Sequence, residues 1–415
     1  EHFYDTSNRI SSQSWQLGST VYYTYDEDDG SLKSMQPAVG GAMSFEYDAL
    51  KRLHAQENSV YRRGVAYEKN ADGTASTRVE SIGYSPKSSS LSGFTLYHDY
   101  DPLGNIIAIS STSADFPGYN YTYDAQGQMT RETIHTGSSA KTYNYTYDTY
   151  GNIRSVSGGE SHTYTYGNEE WRDLLTAYDG HSISYDEIGN PGTYYNGTDW
   201  EFDWEKGRQL ASVASDEITA TYEYDLNGIR TSKTVNGVTY NYLTQNGKVV
   251  RQTWTEDGLD KFMDFIYDSS GKPYAMVSGD RSVSAVYYYV LNQQGDVIRI
   301  LGPNNTVAAT YAYNAWGEVI SSSGWMANQN PIRYRGYYYD NETGFYYLQS
   351  RYYDPAIGRF INADGYLSAG QGFVGLNMFA YCGNNPVNCI DPTGYINWKG
   401  VAVGAGLFLL GVAAC

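Results

Sequence analysis

The chain has 415 residues, 45 of them tyrosine, and a formal net charge of −18 from 28 basic and 46 acidic residues. This acidic balance argues against nucleic-acid binding by this region, because phosphate backbones are bound by basic surfaces. Three cysteines (Cys382, Cys389 and Cys415) and six scattered histidines suggest neither a disulfide framework nor a metal site. Gly404-Ala405-Gly406 lacks the third glycine of a dinucleotide loop, so no cofactor is expected.

The chain begins in the middle of a repeat at Glu1, without a methionine or a signal peptide. We therefore interpret residues 1–20 as an incomplete N-terminal piece. We expect the export signal, and further sequence of the same kind, to lie upstream.

Residues 21–330 carry a short phrase, aromatic-x-Tyr-Asp-x-x-Gly, that returns about every 20 residues. Taking the second aromatic residue as the marker gives spacings of 18 to 25 residues along most of this stretch. The markers are Tyr147, Tyr166, Tyr185, Trp204, Tyr224, Tyr242, Tyr267, Tyr289 and Tyr313. A fixed period of this size predicts a repeat architecture.

Each repeat is typical of a strand–turn–strand unit. Alternate aromatic residues, as in Tyr121-Thr122-Tyr123, place both rings on one face of an extended strand. Asp124 then suits the first position of a type I turn, and Gly127 suits the left-handed residue that closes the hairpin. No apolar stripe of period 3.6 is visible. We therefore predict an all-β array of hairpins, in which most tyrosines have a structural role.

From residue 331 the spacing tightens into a different, aromatic-rich segment. It contains Arg333-Tyr334-Arg335-Gly336-Tyr337-Tyr338-Tyr339-Asp340, Arg351-Tyr352-Tyr353-Asp354-Pro355, Gly358-Arg359-Phe360 and Asp391-Pro392-Thr393-Gly394. This segment resembles the RHS repeat-associated core domain, and the preceding array is similar to YD repeats of the RHS and teneurin type. The resemblance covers roughly residues 20 to 395.

The resemblance implies a spiral, hollow β-shell, of which this chain forms a part, closed at one end by a core domain at 331–395. In the family the shell holds a variable C-terminal toxin polypeptide, and the core of many members cleaves itself as an aspartyl-type autoprotease. Carried onto this sequence, the two motif aspartates are Asp364 and Asp391, and the expected scissile bond joins Tyr395 to Ile396. Arg359 is a candidate for stabilising the charged aspartate.

Three features depart from the family pattern near the expected cleavage site. Gly365 replaces the usual proline, Tyr395 replaces the usual leucine, and an insertion at 368–375 lengthens the interval between the two aspartates. These departures concern self-cleavage and not the shell. The alternative interpretation is that both aspartates only begin turns, as the repeat aspartates do.

Residues 396–415 have yet another composition, and the stretch 401–415 is an uncharged run of small and apolar residues. A membrane-spanning helix needs about 20 such residues. We interpret 396–415 as the apolar start of the variable toxin-side region, with a transmembrane or translocation helix as the favoured hypothesis. The alternative is an apolar strand or helix tucked into the shell.

Taken together, these features favour the shell-forming scaffold of a secreted or cell-surface bacterial polymorphic toxin. Its partner would be its own C-terminal toxin cargo, which encapsulation keeps inactive, and a membrane would be contacted through 401–415. The alternative function is surface adhesion or carbohydrate binding without cleavage, for which Trp200, Trp204 and Trp325 are candidate sugar platforms. A third hypothesis is a displaced, silent C-terminal cassette.

Overall fold

The computed structural model describes residues 2–14, 20–70, 72–365, 376–395 and 398–399, with residues 2, 398 and 399 described by their backbone alone. Ile396 and the apolar run 401–415 therefore lie outside the described residues. Within the described ranges, no helix is long and apolar enough to cross a membrane.

Two large antiparallel sheets of 17 and 13 strands make up a long ribbon. In the first sheet, each strand pairs with the next one in sequence. Its strands are β1 His2–Tyr4, β2 Ile10–Ser14, β3 Thr20–Tyr25, β4 Leu32–Pro37, β5 Met43–Tyr47, β6 Leu53–Glu57, β7 Tyr61–Lys69, β8 Ala75–Pro86, β9 Phe94–Tyr100, β10 Ile106–Ser111, β11 Gly118–Tyr123, β12 Met129–Thr136, β13 Ser139–Tyr147, β14 Ile153–Gly158, β15 His162–Thr165, β16 Ala177–Tyr178 and β17 His181–Ser182.

The second sheet continues the same meander. Its strands are β18 Thr193–Tyr195, β19 Asp199–Glu205, β20 Gln209–Ala214, β21 Thr219–Tyr224, β22 Arg230–Val235, β23 Val238–Gln245, β24 Lys248–Glu256, β25 Leu259–Tyr267, β26 Pro273–Asp280, β27 Ser284–Leu291, β28 Val297–Leu301, β29 Val307–Tyr313 and β30 Val319–Ser323. Between the two sheets the strands shorten, and Tyr185 makes only an isolated bridge to Pro191. The predicted all-β hairpin array is confirmed, and this stretch is its least regular part.

A compact C-terminal segment follows the ribbon, and we call it the core. Its strands are β31 Tyr338–Asp340, β32 Phe345–Tyr347, β33 Tyr352–Asp354, β34 Arg359–Phe360, β35 Cys389–Ile390 and β36 Trp398–Lys399. Short 3-10 turns lie at Pro303–Asn305 in the ribbon and at Tyr334–Gly336 and Tyr381–Asn384 in the core.

The repeat aspartate closes the turns that carry the Tyr-Asp-x-x-Gly phrase, as the sequence predicts. The Oδ1 atom of Asp124 accepts hydrogen bonds from the backbone N–H groups of Gln126 and Gln128, both at 2.9 Å. Gly127 donates its N–H to the Asp124 carbonyl at 3.0 Å and has a φ of +83°. Most other residues avoid this left-handed backbone, which accounts for the glycine. Equivalent side-chain bonds recur at Asp148, Asp186, Asp225 and Asp268.

In many repeats, the tyrosine at or just past the end of a strand links successive turns along one rim of the ribbon. Tyr123 donates its hydroxyl to the Ile106 carbonyl at 2.6 Å, and Tyr147 donates to the Met129 carbonyl at 2.5 Å. In each case the acceptor lies near the start of the preceding strand. The same bond is made by Tyr25, Tyr67, Tyr100, Tyr166, Tyr224, Tyr267 and Tyr313. We call this series the tyrosine ladder.

The ribbon turns back on itself, so that late strands pack against early ones. Tyr61 donates its hydroxyl to the Tyr289 carbonyl at 2.8 Å, and Tyr119 donates to the Tyr313 carbonyl at 3.0 Å. Buried side chains from residues 21–116 and 266–301 form one hydrophobic cluster between these walls. The ribbon is therefore a curved wall around an interior.

The core occupies that interior. Its rings pack in a single large cluster with residues from the ribbon strands, and Tyr346, Tyr353 and Tyr381 are fully buried. Strand β31 is anchored to strand β22 by a bidentate pair, in which the two Nη atoms of Arg230 lie 2.6 and 3.0 Å from the carboxylate of Asp340. Lys233 Nζ lies 2.8 Å from the same carboxylate. The core thus fills the space that the ribbon curves around.

Candidate active site in the core

The two motif aspartates are buried in the core, each just after a short strand. Asp364 follows β34, and its backbone N–H donates to the Met378 carbonyl at 2.9 Å. Asp391 follows β35, and its backbone N–H donates to the hydroxyl of Tyr337 at 3.0 Å. Their exposed fractions are 6% and 2%. Buried carboxylates require charged or hydrogen-bonding partners.

Arg351 brings the two carboxylates together. Its Nη2 atom lies 3.0 Å from Oδ2 of Asp364 and 3.3 Å from Oδ2 of Asp391. Asp364 and Asp391, which lie 27 residues apart in the sequence, therefore share one guanidinium nitrogen. One cation thus serves as the common partner of two buried acidic groups.

The guanidinium of Arg351 is fixed from several sides. It stacks on the Phe360 ring at 3.5 Å from the centroid, and Nη1 donates to the Met378 carbonyl at 2.9 Å. Its Nε atom donates to the Gly394 carbonyl. Burial lowers the pKa of Arg351, while Asp364 and Asp391 oppose that shift. This network joins both aspartates to the loop that leads to Tyr395.

Asp391 also organises that loop. Its Oδ1 atom accepts the N–H of Gly394 at 2.8 Å, while Oδ2 faces Arg351. Gly394 has a φ of +77°, and a Cβ there would lie 2.5 Å from Oγ of Ser350. A glycine is therefore required at 394 both by the backbone conformation and by the close approach of β32–β33.

Tyr395 lies next to the aspartate site and is 40% exposed. A Cβ on Gly365 would lie 3.8 Å from Cε1 of its ring. The two residues that depart from the family pattern are thus neighbours in space. The other side of the expected scissile bond, Ile396, lies outside the described residues.

Arg359 connects the core to the ribbon. Its Nη1 donates to the Tyr166 hydroxyl at 2.8 Å, and its Nη2 donates to the Asp173 carbonyl at 2.6 Å. The cation shared by the two aspartates is Arg351, which the sequence analysis did not single out. The available signal was its place in the sequence: an arginine in an aromatic-rich segment, directly before β33, needs a carboxylate partner once it is buried.

The three tryptophans have different environments. Trp200 and Trp204 pack in the ribbon and donate their indole N–H groups to Asn196 Oδ1 at 3.0 Å and the Pro191 carbonyl at 2.7 Å. Trp325 is 55% exposed and lies edge-on to Tyr287 at 5.6 Å. Of the three candidate sugar platforms, Trp325 alone presents an open ring.

Comparison with known proteins identifies the family of this architecture. A family model described as Teneurin YD-shell matches residues 1–387. The chain is similar to the tRNA nuclease WapA of Bacillus subtilis, with 30% identity over 409 residues that cover 97% of this chain and 16% of WapA. It is also similar to the double-stranded DNA deaminase toxin A of Burkholderia cenocepacia, with 23% identity over 95% of this chain and 30% of that protein. The chain thus spans less than a third of the length of either relative.

Solved structures show the same fold. The TcdB2-TccC3-TEV crystal structure matches with a TM-score of 0.76 and 20% identity, over 95% of this chain and 21% of that chain. The structure of a Photorhabdus luminescens Tc holotoxin pore matches with a TM-score of 0.74 and 19% identity, over 98% of this chain and 22% of that one. These similarities support the repeat ribbon with its enclosed core.

Proposed function

This chain belongs to the teneurin YD-shell family, and we propose that it forms the closed end of a shell that carries a C-terminal toxin polypeptide. The observation that carries the proposal is the ribbon that wraps around the core at 331–395. The names of two relatives, a tRNA nuclease and a DNA deaminase toxin, support toxin cargo. We place the carrier outside the producing cell, either secreted or at the cell surface.

Tyrosine-rich walls suit the containment of a polypeptide. Aromatic side chains offer large apolar contact surfaces, and tyrosine adds a polar hydroxyl. A continuous antiparallel ribbon also leaves few unpaired strand edges. Such walls would contact a guest of variable sequence without recognising one particular motif.

Protease protection of the downstream polypeptide tests containment. The full gene product, including the sequence after this chain, would be expressed and treated with a protease of broad specificity. We expect the downstream polypeptide to survive beside the shell and to be digested when expressed alone. Equal digestion of the two forms would refute the carrier function.

We further propose that Asp364 and Asp391 hydrolyse the bond between Tyr395 and Ile396. One carboxylate removes a proton from water as the water attacks the Tyr395 carbonyl, and the other carboxyl group donates its proton to the leaving nitrogen of Ile396. The products are a carboxylate at Tyr395 and a free amino group at Ile396. Arg351 acts as a positioning residue, because it contacts both aspartates.

Intact mass measurement tests this reaction. Wild type is expected to lose the piece after Tyr395, whereas Asp364→Asn and Asp391→Asn stay uncut. Arg359→Gln is the matched control, since its guanidinium contacts the ribbon, and it should still be cleaved if it folds. An uncut wild type would refute self-cleavage without affecting the shell.

Glycan binding is a second candidate function, supported by the exposed ring of Trp325. Aromatic faces stack on sugars, and this ring is held against Tyr287. A glycan array with wild type and Trp325→Ala tests it. Binding by wild type that is lost in the variant would support an adhesive role. An array without signal for wild type would refute glycan binding.

A further inference from the structure

A small pocket lies between two walls of the ribbon, away from the aspartate site. It has a volume of about 80 Å³ and is formed by residues from 43–79 on one wall and 268–293 on the other. Since one water occupies about 30 Å³ in the liquid, the pocket has room for a small polyatomic ligand.

Two cations line this pocket, Arg63 from β7 and Lys272 from the turn before β26. The Nε atom of Arg63 is buried and has no hydrogen-bond partner, while its Nη1 donates to Gln56 Oε1 at 3.3 Å. Within the described part of the chain, neither cation forms an ion pair. Burial and the neighbouring Arg63 both lower the pKa of Lys272.

One acidic residue lines the described part of the pocket, Asp268, and its carboxylate already serves the turn. Its Oδ1 atom accepts the N–H groups of Ser270 and Lys272, each at 2.9 Å. Two cations therefore face one carboxylate, which already accepts hydrogen bonds from the turn. In a chain with a net charge of −18, a pocket with two cations and one carboxylate is a specific arrangement and not a consequence of composition.

We propose that this pocket binds a small oxyanion between Arg63 and Lys272. The unpartnered guanidinium N–H and the ammonium group supply charge-assisted hydrogen bonds to the anion. A free phosphate or sulfate and the carboxylate of an acidic peptide share this chemistry. Because the two cations come from separate walls, the bound anion would also hold the walls together.

Thermal unfolding of the full chain in sodium phosphate and in sodium chloride of equal ionic strength tests the site. Phosphate is expected to raise the Tm of wild type by about 2–4 °C. Lys272→Met should lose this response and should be more stable than wild type in chloride, because in wild type Arg63 and Lys272 share the pocket with the single carboxylate of Asp268. In phosphate the wild type should have the higher Tm of the two proteins.

Lys248→Met is the matched control. Lys248 is also a lysine whose pKa burial lowers and whose charge is near Asp268, but it lies over the Tyr267 ring at 5.2 Å and outside the pocket lining. It should keep the full phosphate response. An equal response in Lys272→Met and wild type, or none in wild type, would overturn the proposal.

Two further measurements complete the test. Calorimetric titration of wild type with phosphate should give one site per chain, and this result does not depend on whether a variant folds. Acetate at the same ionic strength separates the sources: stabilisation by acetate as well as phosphate indicates a peptide carboxylate, and stabilisation by phosphate alone indicates a free oxyanion. Absence of heat with both anions would overturn the site.

Discussion

The ribbon and the core hold their polar groups in different ways. In the ribbon, the bonds of the turns and of the tyrosine ladder join residues of the same hairpin or of the one before it, and they recur with the repeat. In the core, buried charges meet partners outside their own hairpin: Asp340 meets Arg230 of the ribbon, 110 residues away, and Arg351 meets Asp364 and Asp391. The stability of the ribbon therefore depends on many small, equivalent hydrogen bonds, whereas the stability of the core depends on a few long-range ion pairs.

The sharpest way to test this contrast is to remove a charge from each region. Asp340→Asn leaves Arg230 buried without its carboxylate, and the rings of Tyr222, Tyr242, Tyr338, Tyr347 and Tyr352 exclude water around it. Breaking a buried pair costs about 3–5 kcal/mol. Denaturant unfolding measures the loss.

The ribbon counterpart is Glu46→Gln. Glu46 pairs with Arg62 at 2.7 Å, but the side chain of Glu46 is half exposed. Surface pairs contribute about 0–1 kcal/mol. Equal losses in Asp340→Asn and Glu46→Gln would contradict the proposed difference between the regions.

A contact between two walls of the ribbon supplies a pH-dependent test. Glu132 of β12 is fully buried; one oxygen accepts the Ala315 N–H at 2.7 Å and the other has no hydrogen-bond partner. Burial raises its pKa from 4.5 to about 8. The native state thus retains a proton that the unfolded state loses, so this stabilisation is complete below about pH 4.5 and is lost as the pH rises through 8.

Between pH 6 and pH 8, this linkage lowers the free energy of unfolding by about 2 kcal/mol. Glu132→Gln should remove that part of the pH dependence. Asp354, whose pKa burial raises to about 6, should still produce the same sign of change at lower pH. Parallel stability curves for wild type and Glu132→Gln over this range would contradict a protonated glutamic acid in the fold.

The smallest expected effect concerns one rung of the tyrosine ladder. Tyr147→Phe removes the hydroxyl that donates to the Met129 carbonyl and leaves the ring in place. Loss of one such bond should lower the free energy of unfolding by about 1 kcal/mol.

Tyr150→Phe is the control for the ladder, because Tyr150 is 45% exposed and its hydroxyl makes no ladder bond, and it should change the stability by less than about 0.5 kcal/mol. Equal effects of the two substitutions in urea titrations would show that the ladder bonds are not what stabilises the rim.

The same contrast explains which features the sequence predicts. The turn at Asp124 and Gly127 follows from local chemistry, because the aspartate, the glycine and the strand pattern lie within a few residues of each other. The family motif locates Asp364 and Asp391. Their shared partner, Arg351, depends on how β33 packs in the finished core, and no local pattern specifies that.

Strand lengths and the protonation of buried residues could not be predicted from the sequence, because both depend on how distant parts of the chain pack. The markers Tyr166 and Tyr185 follow the period, yet the first lies just past β15 and the second makes only a single bridge. Period alone cannot show where a strand shortens. The proton on Glu132 depends on the depth of its burial, which is set by a hairpin nearly two hundred residues later.

The tyrosine ladder has a consequence for how the chain is made. Each rung points backward, from a newly added tyrosine to a carbonyl of the strand before it. Chains leave the ribosome with the N-terminal part first and fold as they emerge. Every new hairpin therefore finds its acceptor already displayed, and the ribbon lengthens at its C-terminal edge without waiting for later residues. The core is synthesised after the ribbon strands, so the wall forms before the core fills it.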